Sequence, residues 1–274
     1  MRLVHLSDLH FGAVDPLLPG LLQRAVMQAA PDVLVVSGDL TQHGRSHEFR
    51  EAKAFLDSIP LPQLVVPGNH DVPLWWVIWE RFRRPWQRYR RLVHHELEPF
   101  WSSPGLWIIG VNSARVMGWH PDWSRGRLSH SQMARLIRKG QAADADALRV
   151  LVVHHPPAAP PQGIRRQLIG RRREFSAAVN QAGIDLVLAG HFHISYAQAL
   201  PLSGGHAERS CVLSAVSTAT SHRLKGEPNG FHVIEGDAHA MSIQAWTWDG
   251  SAYSAGRTWR FQSDLGNRHW QELT

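Results

Sequence analysis

Five short apolar runs in this chain each lead into a block rich in Asp, Asn or His. Residues 3–6 run into Asp8-Leu9-His10, residues 33–37 into Gly38-Asp39, and residues 64–66 into Gly68-Asn69-His70-Asp71. Later, residues 150–153 meet His154-His155-Pro156, and residues 186–189 meet Gly190-His191-Phe192-His193. Runs this short and this uniformly apolar are expected to be strands covered on both faces. If they lie in a parallel or mixed sheet, their exits share the carboxyl edge where such sheets collect ligands. Oxygen and imidazole donors from distant parts of the chain would then meet along one line.

Helical spacing fills the intervals. Asp15 and Pro16 read as N-cap and first turn of a helix through Leu18, Leu21, Leu22, Ala25, Val26 and Ala29, which Pro31 closes. Ser46 can cap a helix to about residue 58, and Ser129 with Gln132 forms a capping box for a helix ending near Gly140. Residues 173–181 give another helix, and residues 107–111 a further strand. Beyond Gly190 the helical pattern stops. Residues 196–200, 211–215, 230–235 and 241–248 read as successive strands between Gly, Ser and Asn turns, an antiparallel half with a final strand from Tyr253. With no repeat or linker in sight, the expectation is an α/β fold in one domain, 1–274, carrying an insertion at about 72–103.

Composition narrows the chemistry. At 274 residues and 43% hydrophobic, the chain can bury a substantial core, which excludes wholesale disorder. The single Cys211 excludes an intrachain disulfide and any multi-cysteine cluster, and reads as an inert buried thiol in an intracellular chain. Eighteen His supply imidazole nitrogen instead. A formal charge of +6 favours anionic partners without naming one. No apolar stretch reaches the ~18 residues of a spanning helix, and no export signal is visible, so the expected location is cytoplasmic.

Taken together and in order, the five blocks resemble the calcineurin-like metallophosphoesterase superfamily. Its Asp-x-His, Gly-Asp, Gly-Asn-His-Asp, His and Gly-His-x-His motifs all stand here between residues 8 and 193 without substitution. The words Gly38-Asp39-Leu40-Thr41-Gln42-His43-Gly44 and His154-His155-Pro156-Pro157, and more weakly residues 217–235, look most like the bacterial cyclic-nucleotide and glycerophosphodiester phosphodiesterases. The resemblance implies two packed mixed β-sheets flanked by helices, a four-layer sandwich. It assigns Asp8, His10 and His193 to one metal ion and Asn69, His154 and His191 to a second, with Asp39 bridging. Such donors suit Mn, Fe, Co or Zn better than Mg or Ca. A cation pair of this kind would activate a hydroxide for in-line attack at phosphorus. His70 is implied to face the phosphate as a catalytic group, with Asp71 placed to orient it. His155 is read as an outer or substrate-facing residue, its exchange with His154 as ligand left open, and His5 as a satisfied core histidine.

The insertion stands apart. Leu74-Trp75-Trp76-Val77-Ile78-Trp79 is followed by Arg81, Arg83, Arg84, Arg88, Arg90 and Arg91 with Trp86 and Tyr89 between them. A lid over the metal site is favoured, ahead of a packing or dimer element, an anionic membrane surface and single-stranded nucleic acid. A second basic group, Arg165, Arg166, Arg171, Arg172 and Arg173, follows the His154 block and could offer guanidinium to phosphate. The leading expectation is a dinuclear phosphodiesterase acting on cyclic nucleotides or glycerophosphodiesters. A membrane-surface hydrolase of lipid-linked pyrophosphates or phospholipid head groups, peripheral to the inner membrane face, is the alternative. A nuclease and a non-enzymatic scaffold rank lower.

Overall fold

The computed structural model describes residues 1–74, 77–117, 124–160, 168–204, 209–264 and 268–273. Alternation of side chains along the strands builds the architecture. In β1 (Arg2–Leu6), Leu3 points to one face while Val4 and Leu6 point to the other. β2 (Val33–Val36) and β3 (Gln63–Val65) pair parallel to it in turn. Val4, Leu6, Leu34 and Val36 pack against Leu22 and Val26 of α1 (Leu18–Gln28) and Phe49 and Phe55 of α2 (Ser46–Asp57).

A second sheet repeats the plan with β5 (Leu106–Gly110), β6 (Leu148–Val152) and β7 (Leu186–Ala189), all parallel. Its Leu151 and Val187 face Leu136 of α5 (His130–Gln141) and Phe175 and Val179 of α6 (Arg172–Gln181). Val150, Val152 and Leu188 turn inward to meet Leu3, Val33 and Val35 of the first sheet. Helices, sheet, sheet and helices thus form four layers, with the driest core between the sheets. Burying one such Val or Leu contributes about 1.5–3 kcal/mol.

The all-strand half does not stay together. β8 (Tyr196–Pro201) and β9 (Ser210–Ala215) join the second sheet, whose order is β4-β5-β6-β7-β9-β8, with β4 being Phe100–Ser103. β10 (Gly230–Gly236), β11 (Ala240–Trp248), β12 (Tyr253–Ser263) and β13 (Trp270–Leu273) extend the first in the order β13-β12-β11-β10-β1-β2-β3. Among the described residues, the strands of this half pair antiparallel with one another, as expected, but the half is shared between the sheets: β9 lies parallel to β7, and the chain crosses between layers after Ala215. Both sheets are mixed for that reason.

Smaller corrections concern helix starts. Asp15 does not cap α1 directly; its Oδ1 accepts from the Leu17 amide at 3.0 Å in a turn that precedes the helix, and Leu17 is the cap residue. Ser46 is already helical, and Glu48 Oε2 reaches back to the His43 and Arg45 amides. Ser129 and Gln132 do form the expected reciprocal box. Within the insertion, α3 (Ile78–Arg83) and α4 (Gln87–Leu92) are short, and Tyr89 is fully buried against Phe49 with its hydroxyl donating to the Val65 carbonyl. Trp75 and Trp76 lie outside the described residues.

Candidate metal centre

Parallel pairing in register makes β1, β2 and β3 end together, and likewise β6 and β7. The chain then stays tethered past the strands: the Asp8 amide donates to the Gly38 carbonyl and the His10 amide to the Asp39 carbonyl, at 3.0 and 2.9 Å. Asp8, His10, Asp39, His191 and His193 all have left-handed φ, between 50° and 73°. Such backbone costs about 1–3 kcal/mol per non-glycine residue and concentrates where side chains must be aimed. Close approach adds a second local demand. A Cβ on Gly190 would fall 1.8 Å from Ser7 Oγ and 2.4 Å from Asp8 Oδ2, so only glycine lets the last block sit against the first.

The donor atoms converge. Those of Asp8, His10 and His193 lie within 4.8 Å of one another, as do those of Asp8, Asp39 and His154, and those of His154, His155 and His191. Asp8 Oδ1 is 3.2 Å from His193 Nε2, and Asp39 Oδ2 is 3.2 Å from His154 Nε2 and 3.8 Å from His10 Nε2. Asp39 thus stands between the two groups of imidazoles. His10 and His193 present their Nε2 atoms to each other at 3.1 Å.

Asp8 Oδ1, Asn69 Oδ1, His154 Nε2 and His191 Nε2 are buried without a hydrogen-bond partner. Each such group costs about 1–3 kcal/mol if left unsatisfied. Shared cations would satisfy them together, so these residues fit a metal centre. The outer contacts fix the rings for that purpose. His154 Nδ1–H donates to the Ser37 carbonyl at 2.8 Å and His193 Nδ1–H to the Arg223 carbonyl at 2.7 Å, which leaves each Nε2 lone pair facing inward. The His191 amide donates to Asp8 Oδ2 at 2.9 Å and the His70 amide to Asp39 Oδ1 at 2.8 Å.

The electrostatics show mutual dependence. Burial works against the Asp8 carboxylate, yet His193, His10 and His154 hold it well below the usual range. Asp39 is likewise held low against burial, by His154, His70 and His10. Burial pushes His154 down, but Asp39 and Asp8 bring it up to about 9, whereas burial and His154 drive His191 down to about 3. One imidazole is therefore paired with carboxylate charge and the next is kept neutral.

His155 behaves differently from His154. Its Nδ1 is 2.8 Å from Ser113 Oγ and its Nε2 2.6 Å from the Ser124 carbonyl, so both nitrogens are engaged. Its ring packs 4.8 Å from His154 and 4.6 Å from His191, centroid to centroid, as a prop behind them. His5 donates to or accepts from Ser37 Oγ through Nε2 at 2.8 Å, but its Nδ1 has no partner, so it is only half satisfied.

His70 sits half-buried at the rim. Its Nδ1 meets the Gln42 carbonyl at 2.8 Å, not Asp71, which corrects the expectation that Asp71 orients it. Asp71 is buried and accepts from the Gly68, Leu40 and Thr41 amides and from Thr41 Oγ1, joining the two loops that carry Asp39 and Asn69. Burial and Asp39 push its carboxyl up to about 7. Arg223 was not foreseen: its Nη1 reaches His70 Nε2 at 3.2 Å and Gln42 Oε1 at 3.1 Å. It lies in a loop without a motif, and only the likeness of residues 217–235 hinted at it.

Comparison with known proteins gives a consistent picture. The profile of the calcineurin-like phosphoesterase family matches residues 1–195. A probable cyclic nucleotide phosphodiesterase from Rhodococcus erythropolis is 29% identical over 218 residues, 70% of this chain and 65% of that protein. Another from Synechococcus sp. is 27% identical over 62% of this chain and 61% of its own length. A glycerophosphodiester phosphodiesterase GpdQ from Enterobacter lignolyticus is 35% identical over 82 residues, 26% of this chain and 30% of its length. The chain therefore spans less than two thirds of each of these relatives. Among solved structures, a purple acid phosphatase from yellow lupin superposes with a TM-score of 0.71 at 10% identity, over 97% of this chain and 54% of that one. PhoD gives 0.71 at 12% identity over 100% and 71%. At those identities they speak for the fold alone.

Proposed function

The chain belongs to the calcineurin-like phosphoesterase family, and from that premise we propose that it is a metal-dependent phosphodiesterase built as one unit over residues 1–274. The observation that carries this reading is the set of orphaned buried donors from four strand exits, gathered around Asp39 from a fifth and flanked by His70 and Arg223. Asp8, His10 and His193 would hold one cation and Asn69, His154 and His191 another, with Asp39 between them. Mn, Fe, Co and Zn all suit this mixture of carboxylate, amide oxygen and imidazole. When bound, the pair supplies a nucleophile at neutral pH and neutralises charge on the phosphoryl oxygens.

The chain's own groups do the rest. Arg223 Nη1–H donates to His70 Nε2, so an arriving phosphate oxygen can replace that nitrogen as the acceptor. Released from Arg223, His70 Nε2 can take a proton from solvent water and pass it to the leaving ester oxygen, while Nδ1–H stays on the Gln42 carbonyl and holds the ring. Asp71 is a positioning residue here, since its partners are the Leu40, Thr41 and Gly68 amides and the Thr41 hydroxyl and not His70. The relatives named as cyclic-nucleotide and glycerophosphodiester phosphodiesterases favour those two substrate classes.

A second reading rests on α3, where Ile78, Trp79 and Phe82 are exposed and Arg83 lies over the Trp79 ring. Apolar and basic groups side by side suit an anionic membrane surface and lipid-borne substrates. No helix among the described residues is long and apolar enough to cross a membrane. The test is a panel of cyclic nucleotides, glycerophosphodiesters, lipid pyrophosphates and oligonucleotides with Mn²⁺-loaded protein, with and without phosphatidylglycerol vesicles. Preference for soluble diesters supports the first reading, and vesicle-dependent lipid hydrolysis replaces it with the second.

A further inference from the structure

Past the ends of β5 and β6, Arg115, Arg125, Arg127, Arg171 and Arg172 line a cavity of 330 Å³. Among the described residues, no acidic side chain lines it. Among the described residues, the side chains of Arg115, Arg125, Arg127 and Arg172 make no ion pair or hydrogen bond, and Arg171 meets only the Leu128 carbonyl at 3.3 Å. Partial burial and the charges of Arg127 and Arg171 push the Arg115 guanidinium down, as expected where cations crowd without an anion. The 10-residue helix α6 begins at Arg172, so its amino end, with its unpaired amides and positive dipole end, adds to the same field. Arg165 and Arg166 lie outside the described residues.

This cavity adjoins the metal centre. Gly126, in its wall, lies so close to the His155 ring that a Cβ there would fall 2.1 Å from Nδ1. His155 in turn packs on His154 and His191. The two sites stand on either side of one imidazole.

We propose that the arginine cavity is an anion subsite that receives a second phosphate of the substrate, selecting phosphodiesters in which one alcohol arm also carries a phosphomonoester. The proposal rests on the phosphodiesterase reading above for the identity of the first site. The intervening His155 ring sets the chemistry: the second phosphate stands several bonds from the scissile one, as across a sugar, and is not the adjoining phosphate of a pyrophosphate. Guanidinium is suited to the task because it grips phosphate through two parallel hydrogen bonds.

The experiment compares thymidine 3'-(4-nitrophenyl phosphate) with its 5'-phosphorylated form, which differ by one phosphomonoester. The Mn²⁺-loaded protein is expected to favour the phosphorylated form by at least about tenfold in kcat/KM, the size of effect that one charge-assisted contact supplies. Arg115→Gln and Arg127→Gln should each pull that ratio toward one, and Arg50→Gln, on the exposed face of α2, should not. A ratio near one in the unmutated protein, or one that Arg127→Gln leaves unchanged, overturns the subsite. If neither ester is cleaved, the phosphodiesterase reading fails instead. Whether the cavity is an anion site at all is then decided by equilibrium binding of inorganic phosphate to the protein as purified: affinity that falls at least tenfold in Arg127→Gln upholds it, and affinity that does not change removes it.

Discussion

Asp39 and His154 reach each other from different sheets, with Oδ2 of the aspartate 3.2 Å from Nε2 of the histidine. The loop after β2 supplies one and the loop after β6 the other, so their contact joins the two layers at the edge where the donor atoms converge. Asp39→Asn keeps the shape and the Oδ1 that accepts from His70, but removes the charge. It should leave a folded protein whose Mn²⁺-stimulated hydrolysis of bis(4-nitrophenyl) phosphate is lower by at least about 10²-fold, beyond the cost of losing an outer contact. Undiminished turnover would show that Asp39 does not bridge.

Removing metal should destabilise the protein because the buried donors then have no partner. Restoring Mn²⁺ or Zn²⁺ to a hundred times its dissociation constant is worth about 2.7 kcal/mol. In a chain of this length that corresponds to a Tm rise on the order of 5 °C or more. Calorimetry before and after chelation reads the effect, and a Tm indifferent to added cation would contradict the assignment.

His70→Ala should lower kcat by about 10² to 10⁴ with metal content retained, as for loss of a positioned acid or base. Metal analysis alongside turnover distinguishes this from loss of a ligand. A variant that has also lost its cations would move His70 into the ligand set, next to His10 and Asp39, whose donor atoms lie within 4.8 Å of its own.

Gly126→Ala places a methyl against the His155 ring and should cost about 1–3 kcal/mol in a denaturant titration. Gly20→Ala, in α1 with open space around it, should gain roughly 0.5–1 kcal/mol. Equal effects from the two substitutions would mean that the packing around His155 yields freely.

Burial, with Asp185 nearby, pushes the Cys211 thiol up to about 12. The reactive thiolate is therefore scarce at pH 8, and iodoacetamide should leave the native protein unmodified while labelling it in urea. Rapid labelling of the native protein would place this thiol nearer solvent than the structure does.

Much of this arrangement is legible in the residue order, for a physical reason. A strand covered on both faces is apolar throughout, so its polar exit stands out, and the Ser129 box announces its helix through side-chain reach alone. What escapes is non-local. Nothing in residues 196–215 says that β8 and β9 will join β7, because antiparallel alternation suits either layer. Left-handed backbone at Asp8 or His191 is imposed by packing and not by propensity. Arg223 carries no motif because its carbonyl, as much as its guanidinium, does the contacting.

The crossing of the last strands between layers has a consequence for biosynthesis. Thr218 Oγ1 donates to the Asp8 carbonyl, the Ala219 amide to Ser7, and the Arg223 carbonyl anchors His193. Asp8 and His193 both leave the ribosome before the segment 218–223 that braces them. A nascent chain arrested just after Gly-His-x-His would carry all seven donor residues but lack the contacts of residues 218–223 on Asp8 and His193, the part of their bracing that is made last.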